Sequence, residues 1–101
     1  MQPATIYAAP NAATIVNTGF KIEIPTGYGL LLCGRSKLAS QGYTVEEGVI
    51  DSDYRGEVKV ILYNHTRHTK VIQKSERIAQ GWFLPTPSIE FVEVDTLTST
   101  K

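Results

Sequence analysis

Short runs of β-forming residues, cut every few positions by Gly, Pro, Asn or Asp, constrain this chain more than any other feature. Val, Ile and Thr together supply more than a quarter of its 101 residues. Their branched side chains lose little in an extended backbone and more in a helix. Phe20-Lys21-Ile22-Glu23-Ile24 alternates apolar and polar as a half-buried strand does. Pro25-Thr26-Gly27 is a turn signal, and Tyr28 to Cys33 is a more continuously apolar strand. Further strands are expected over 14–17, 57–63, 68–73, 77–84 and 89–94. In the strand over 57–63, Val58, Val60 and Leu62 share one face while Ile61 and Tyr63 share the other, so both faces are expected to be covered. A short helix fits only around Ser36 to Gln41. No internal repeat or low-complexity tract is present. Many short strands with regular turns indicate an all-β barrel, sandwich or jelly roll.

The length suits one domain over 1–101, with a short polar tail from Asp95. A single core of this size is modest, so oligomerisation would add stability. Ten basic and ten acidic residues balance to zero formal charge. That balance argues against a nucleic-acid polymer as partner. No apolar run approaches the roughly 20 residues of a membrane-spanning helix. The first residues lack the charged and apolar regions of a signal peptide. The single cysteine, Cys33, excludes an intrachain disulfide and fits a reducing compartment, so a cytoplasmic or host-cell intracellular location is expected. Its place in Gly29-Leu30-Leu31-Leu32-Cys33 suggests a buried core thiol.

Three segments carry chemistry. Gly48-Val49-Ile50-Asp51-Ser52-Asp53-Tyr54-Arg55-Gly56 puts two carboxylates and an aromatic ring between glycines and reads as a tight β-hairpin. An ordinary Asp/Gly turn fits that spacing equally well. Cys33-Gly34-Arg35-Ser36-Lys37-Leu38-Ala39-Ser40 follows a strand and offers cations, a hydroxyl and freed N–H groups, as a phosphate cradle or a solvated basic turn does. Ser75-Glu76-Arg77-Ile78-Ala79-Gln80 reads alone as a strand entry. His65 and His68 flank Arg67 with no third metal ligand in view, which suits solvated turn residues. Trp82 and Phe83 suit packing against a neighbouring strand or subunit. Tyr43 fits a site lining and a core position equally.

In order and spacing, the three segments resemble the second, third and fourth motifs of the trimeric deoxyuridine triphosphatases (dUTPases). Ile22-Glu23-Ile24-Pro25-Thr26-Gly27 before them and Val60-Ile61-Leu62-Tyr63-Asn64 after the third also match. The resemblance spans roughly residues 6 to 95. It implies a jelly-roll-like, distorted β-barrel and a homotrimer with nucleotide sites at subunit interfaces. It implies hydrolysis of dUTP to dUMP and pyrophosphate, with Mg²⁺ held through the nucleotide phosphates and water and not by protein ligands. Asp51 matches the carboxylate that orients and deprotonates the attacking water. Tyr54 matches the ring that lies against deoxyribose and excludes a 2′-hydroxyl. Backbone around Val45 to Ile50, including Gly48, would read the uracil edge. Ser36 and Gln80 would contact phosphates, Arg35 would support the Asp51 side, and Lys37 adds a cation near them. Asp53 would shape the turn.

Departures from the family pattern accompany these matches. The Ala-Gly-x-Asp-Leu first motif and the Gly-rich fifth motif have no counterpart, and no Asp precedes Asp51. Gly34 stands for a usual Pro and Lys37 for a usual Gly. These departures keep two other readings open. One is a binding protein that sequesters a nucleotide, such as a cyclic or signalling one, without cleaving it. The other is a structural role with Arg35 and Asp51 paired at a subunit interface. The related deoxycytidine triphosphate deaminases place a catalytic Glu where this chain has Ile61, which argues against deamination.

Overall fold

The computed structural model describes residues 4–100. Its elements run β1 (Ile6–Ala8), β2 (Ala12–Lys21), β3 (Tyr28–Gly34), α1 (Ser36–Ser40), β4 (Tyr43–Val45), β5 (Gly48–Ile50), β6 (Glu57–Asn64), β7 (Lys70–Ile72) and β8 (Ala79–Pro85). All pairings are antiparallel. They form a β1-β7 ribbon and two three-stranded sheets, ordered β2-β6-β4 and β5-β3-β8. This is the all-β, jelly-roll-like class expected from the strand pattern.

The core follows from the period-two alternation of β2 and β6. Val16, Val58, Val60 and Leu62 point inward and are almost fully buried. Ala8, Ile72, Leu38, Val45 and Ile78 complete the cluster from the flanking elements. The opposite face of β6 is open: Lys59 is exposed and Ile61 is more than a third exposed. Only one face is therefore covered within a single chain, which corrects the expectation of two.

Buried polar groups are fitted to specific backbone partners. Asn64 is 1% exposed. Its amide donates to Ala8 O (3.1 Å) and His68 O (2.7 Å), and its Oδ1 accepts from Thr66 N (2.9 Å) and Thr66 Oγ1 (2.8 Å). These bonds tie the 64–68 turn to β1. Thr18 Oγ1 donates to Val58 O at 2.6 Å. Register shifts between Asn17 and Lys21, where Gly19 has φ +84°. That irregularity lies within β2, which takes in Phe20 and Lys21 of the strand expected over 20–24 and ends there.

Other boundaries also differ from expectation. β1 and β4 are three residues each, too short to show a period. Cys33, near the C-terminal end of β3, is only half-buried, which corrects the expected core thiol. Residues 89–94 form no strand, and Ile89, Phe91, Val92 and Val94 are all exposed. The radius of gyration is 17.8 Å and the longest axis 54 Å. A chain of about 100 residues usually has a radius near 13 Å. An outstretched C-terminal arm accounts for the excess.

Candidate functional site

The segment from Gly48 to Gly56 is a corner, not a hairpin. β5 pairs only with β3, and β6 pairs with β2 and β4. The chain thus crosses from one sheet to the other through Asp51 to Gly56. The crossing is stiffened locally. Tyr54 N donates to Asp51 O (3.1 Å), closing a four-residue turn. The Arg55 guanidinium donates to Ser52 O and to Tyr54 O. The Tyr54 hydroxyl donates to Glu57 O at 2.7 Å. Asp53 makes no hydrogen bond that shapes this turn; Arg55 does that instead, which corrects the expectation for Asp53. Arg55 also lies 3.9 Å from Glu23, an exposed and weak pair.

This corner walls a depression of about 460 Å³ lined by Val49, Ile50, Asp51, Asp53, Tyr54, Glu57 and Lys59. Asp51 is exposed to it. β5 is an edge strand, so one side of its backbone has no partner in this chain. Such an edge can hydrogen-bond a planar polar ligand. Among the described residues other than its neighbours, no atom lies within 4 Å of where a Gly48 Cβ would be, so the sheet face at Gly48 is open.

The second and fourth segments meet elsewhere. Arg35 is the N-terminal flank of α1, with extended backbone and no side-chain cap. Ser36 and Lys37 are exposed on the first turn. Gln80 is opposite Cys33 on β8, and its Nε2 donates to Gly34 O at 2.9 Å. Gln80 is therefore fixed beside the backbone that carries Arg35 and Ser36. Ile50 pairs with Leu30 near one end of β3, whereas Gly34 is at the other end. At about 3.3 Å per residue, Asp51 and Ser36 leave β3 roughly 15 Å or more apart. The candidate residues thus fall in two separate groups, one with Asp51 and Tyr54, the other with Arg35, Ser36, Lys37 and Gln80. Arg35 and Asp51 form no ion pair among the described residues.

The remaining candidates are accounted for by local contacts. Thr44 Oγ1 and His65 Nε2 are 2.7 Å apart, and the His65 ring stacks on Tyr63. Among the described residues, no group of three or more His, Cys, Asp or Glu could hold a metal ion. Tyr43 is half-buried against the core, with Lys70 Nζ 5.5 Å from its ring centre. Trp82 pairs with Leu31 across strands yet is 58% exposed, so a neighbouring strand covers it only in part.

The dUTPase family model matches residues 1–101. The chain belongs to the dUTPase family. It is 43% identical over 99 residues to the deoxyuridine 5′-triphosphate nucleotidohydrolase of Nautilia profundicola, covering 95% of this chain and 70% of that one. It is 43% identical over 96 residues to the enzyme of the same name from Gloeobacter violaceus, covering 92% and 65%. The chain thus spans about two thirds of these dUTPase relatives. Its fold matches a dUTPase mutant from phage phi11 of S. aureus with a TM-score of 0.85 at 22% identity, covering 95% and 80%. It matches the native EIAV dUTPase with a TM-score of 0.79 at 26% identity, covering 95% and 82%.

The residues at this corner to which sequence reasoning gave no role are Arg55, Gly56, Glu57 and Lys59. They sit within or beside the most informative segment. Their roles depend on main-chain contacts that residue type alone does not announce.

Proposed function

We propose that this chain is a dUTPase subunit that hydrolyses dUTP to dUMP and pyrophosphate. The observation that carries the reading is the rigid corner holding Asp51 and Tyr54 on one open depression beside an unpaired backbone edge. Uracil would hydrogen-bond to that edge around Gly48 to Ile50. The sugar would lie against Tyr54. Asp51 would orient a water molecule and take its proton as the water oxygen attacks the α-phosphorus. The bond from that phosphorus to the bridging oxygen then breaks, and pyrophosphate leaves.

The other half-site suits the phosphates. Arg35, Ser36, Lys37 and the Gln80 amide group supply cations and donors of the kind that bind anionic oxygens. A single chain holds the halves apart, so the working site joins the Asp51 half of one copy to the Gln80 half of another. A homotrimer closes such a site with every copy equivalent. The exposed β8 side chains and the outstretched arm supply apolar surface for that contact. A Mg²⁺ ion would be held by substrate phosphates and water, and Asp51 would hydrogen-bond that water. When bound, the ion offsets phosphate charge.

The test is release of pyrophosphate from dUTP with Mg²⁺ by purified protein. Asp51→Asn should lower kcat by roughly 10²–10⁴-fold, the usual worth of a general base, while the trimer persists in sedimentation. Turnover that survives Asp51→Asn unchanged would remove Asp51 from the mechanism. Nucleotide recovered bound but intact would favour sequestration.

A further inference from the structure

We infer that Gly56 is the positioning residue for sugar discrimination: its missing side chain is the shelf on which the Tyr54 ring is clamped. The inference rests on the reading of Tyr54 as the group that meets deoxyribose. A Cβ built on Gly56 would lie 2.5 Å from the Tyr54 hydroxyl oxygen, 2.6 Å from Cζ and 3.0 Å from Cε1. The first two are distances that real Cβ atoms essentially never show, and the third is tight. The ring therefore rests directly on the Gly56 backbone.

Two further contacts hold it there. The Tyr54 hydroxyl donates to Glu57 O, so the far end of the side chain is tied to the residue just past the shelf. Tyr54 N donates to Asp51 O, which fixes where the side chain starts. The Glu57 carboxylate in turn accepts from Gly19 N at 2.9 Å, which anchors the shelf's far side to the β2 irregularity. Tyr54 itself is 41% exposed, so little packing from above holds the ring. Its orientation depends on the floor and the hydroxyl tether.

Gly56 is not held for backbone reasons. The described glycines with positive φ are Gly19, Gly27 and Gly42. Alanine at 56 therefore meets no left-handed backbone, and the consequence falls on the ring. Tyr54 would have to swing off the shelf and release Glu57 O. A displaced ring no longer closes the space beside the sugar C2′, and a hydroxyl there becomes tolerable.

The experiment measures Kd by calorimetry for the α,β-imido analogues of dUTP and UTP with Mg²⁺, which needs no turnover. Wild type, Gly56→Ala, Tyr54→Phe and Tyr54→Ala are compared. Gly56→Ala should narrow the deoxy-to-ribo affinity ratio roughly tenfold or more, chiefly by improving the ribonucleotide. Tyr54→Phe, which keeps the ring but cuts its tether, should narrow it less, and Tyr54→Ala should abolish it. A ratio kept in Gly56→Ala but lost in Tyr54→Ala overturns the shelf and leaves the sugar gate standing. A ratio kept in Tyr54→Ala overturns the gate and this inference with it. Should Gly56→Ala fail to fold, Tyr54→Phe decides: a narrowed ratio supports the clamp, and an unchanged one overturns it.

Discussion

Asn64 shows how much one buried polar residue can organise. Its side chain satisfies two carbonyls and accepts two donors while wholly enclosed. Asn64→Ala removes both ends of that network and strips Ala8 O of the amide donor, while Thr66 Oγ1, 3.0 Å from His68 O, still donates there. A buried group stripped of its partner costs about 1–3 kcal/mol. A loss of roughly 1–3 kcal/mol in urea unfolding is therefore expected. An unchanged midpoint would mean that water replaces the amide. In sequence, Asn64 looked like the end of a strand and the start of a polar turn. Its burial was not legible there, because the partner at Ala8 lies 56 residues away and reaches it only through the fold. Asp51 and Tyr54 are the opposite case. They were legible because the unusual pairing of acid and ring occurs between two glycines in a recognisable frame. Gly56 was visible only as the frame's edge.

At the level of elements, apolar and β-branched runs bounded by turn signals located β3, β6 and β8 closely, and the one helix among the described residues fell where expected, whereas the alternating 89–94 forms no strand. Shorter pieces escaped because a three-residue strand has no period to detect. Their places are set by partners far along the chain: Tyr43, Thr44 and Val45 pair with Asn64, Tyr63 and Leu62. The connection from α1 into β4 depends on Gly42, with φ +98° and a would-be Cβ 2.8 Å from Thr66 Cγ2. Gly42 N also donates to Ala39 O, and Gly42 O accepts from His65 N at 2.9 Å. Gly42→Ala thus combines left-handed backbone strain with a clash in the turn that Asn64 organises. A loss of about 1–3 kcal/mol is expected in thermal or urea unfolding. Gly34→Ala is the control: its Cβ would make only ordinary contacts, the nearest at 3.5 Å with Val45, and φ is not left-handed. Equal effects at 42 and 34 would argue against the strain account. The corner at Asp51 was misread as a hairpin for the same reason that β4 was missed. Which sheet a strand joins is a long-range property.

For the whole molecule, the unresolved energetic question is the arm. Ile89, Phe91, Val92, Val94 and Leu97 expose most of their surface, and Phe91 is 94% exposed. Its alternating sequence reads as a strand, yet in one chain it pairs with nothing, because pairing requires an edge it cannot reach while extended. β8 ends its sheet, with Trp82, Phe83 and Leu84 exposed along it, and in the proposed trimer a neighbour's β8 would offer such an edge. An apolar cleft of about 520 Å³ between the sheets, lined in part by Phe20, Ile22, Leu30, Leu32 and Phe83, offers further surface. The two half-sites give assembly a chemical purpose as well. Phe91→Ala separates these ideas from a free arm. In an isolated subunit Phe91 touches almost nothing, so the change should leave the subunit's own unfolding unaltered. Burying a Phe side chain is worth roughly 1.5–3 kcal/mol. If each arm is buried by a neighbour, the variant's subunit dissociation constant in sedimentation should rise about tenfold or more. Turnover of dUTP should fall at dilute protein and recover as concentration rises, because the halves of the site rejoin. An arm that stays free in solution predicts no change in either measurement.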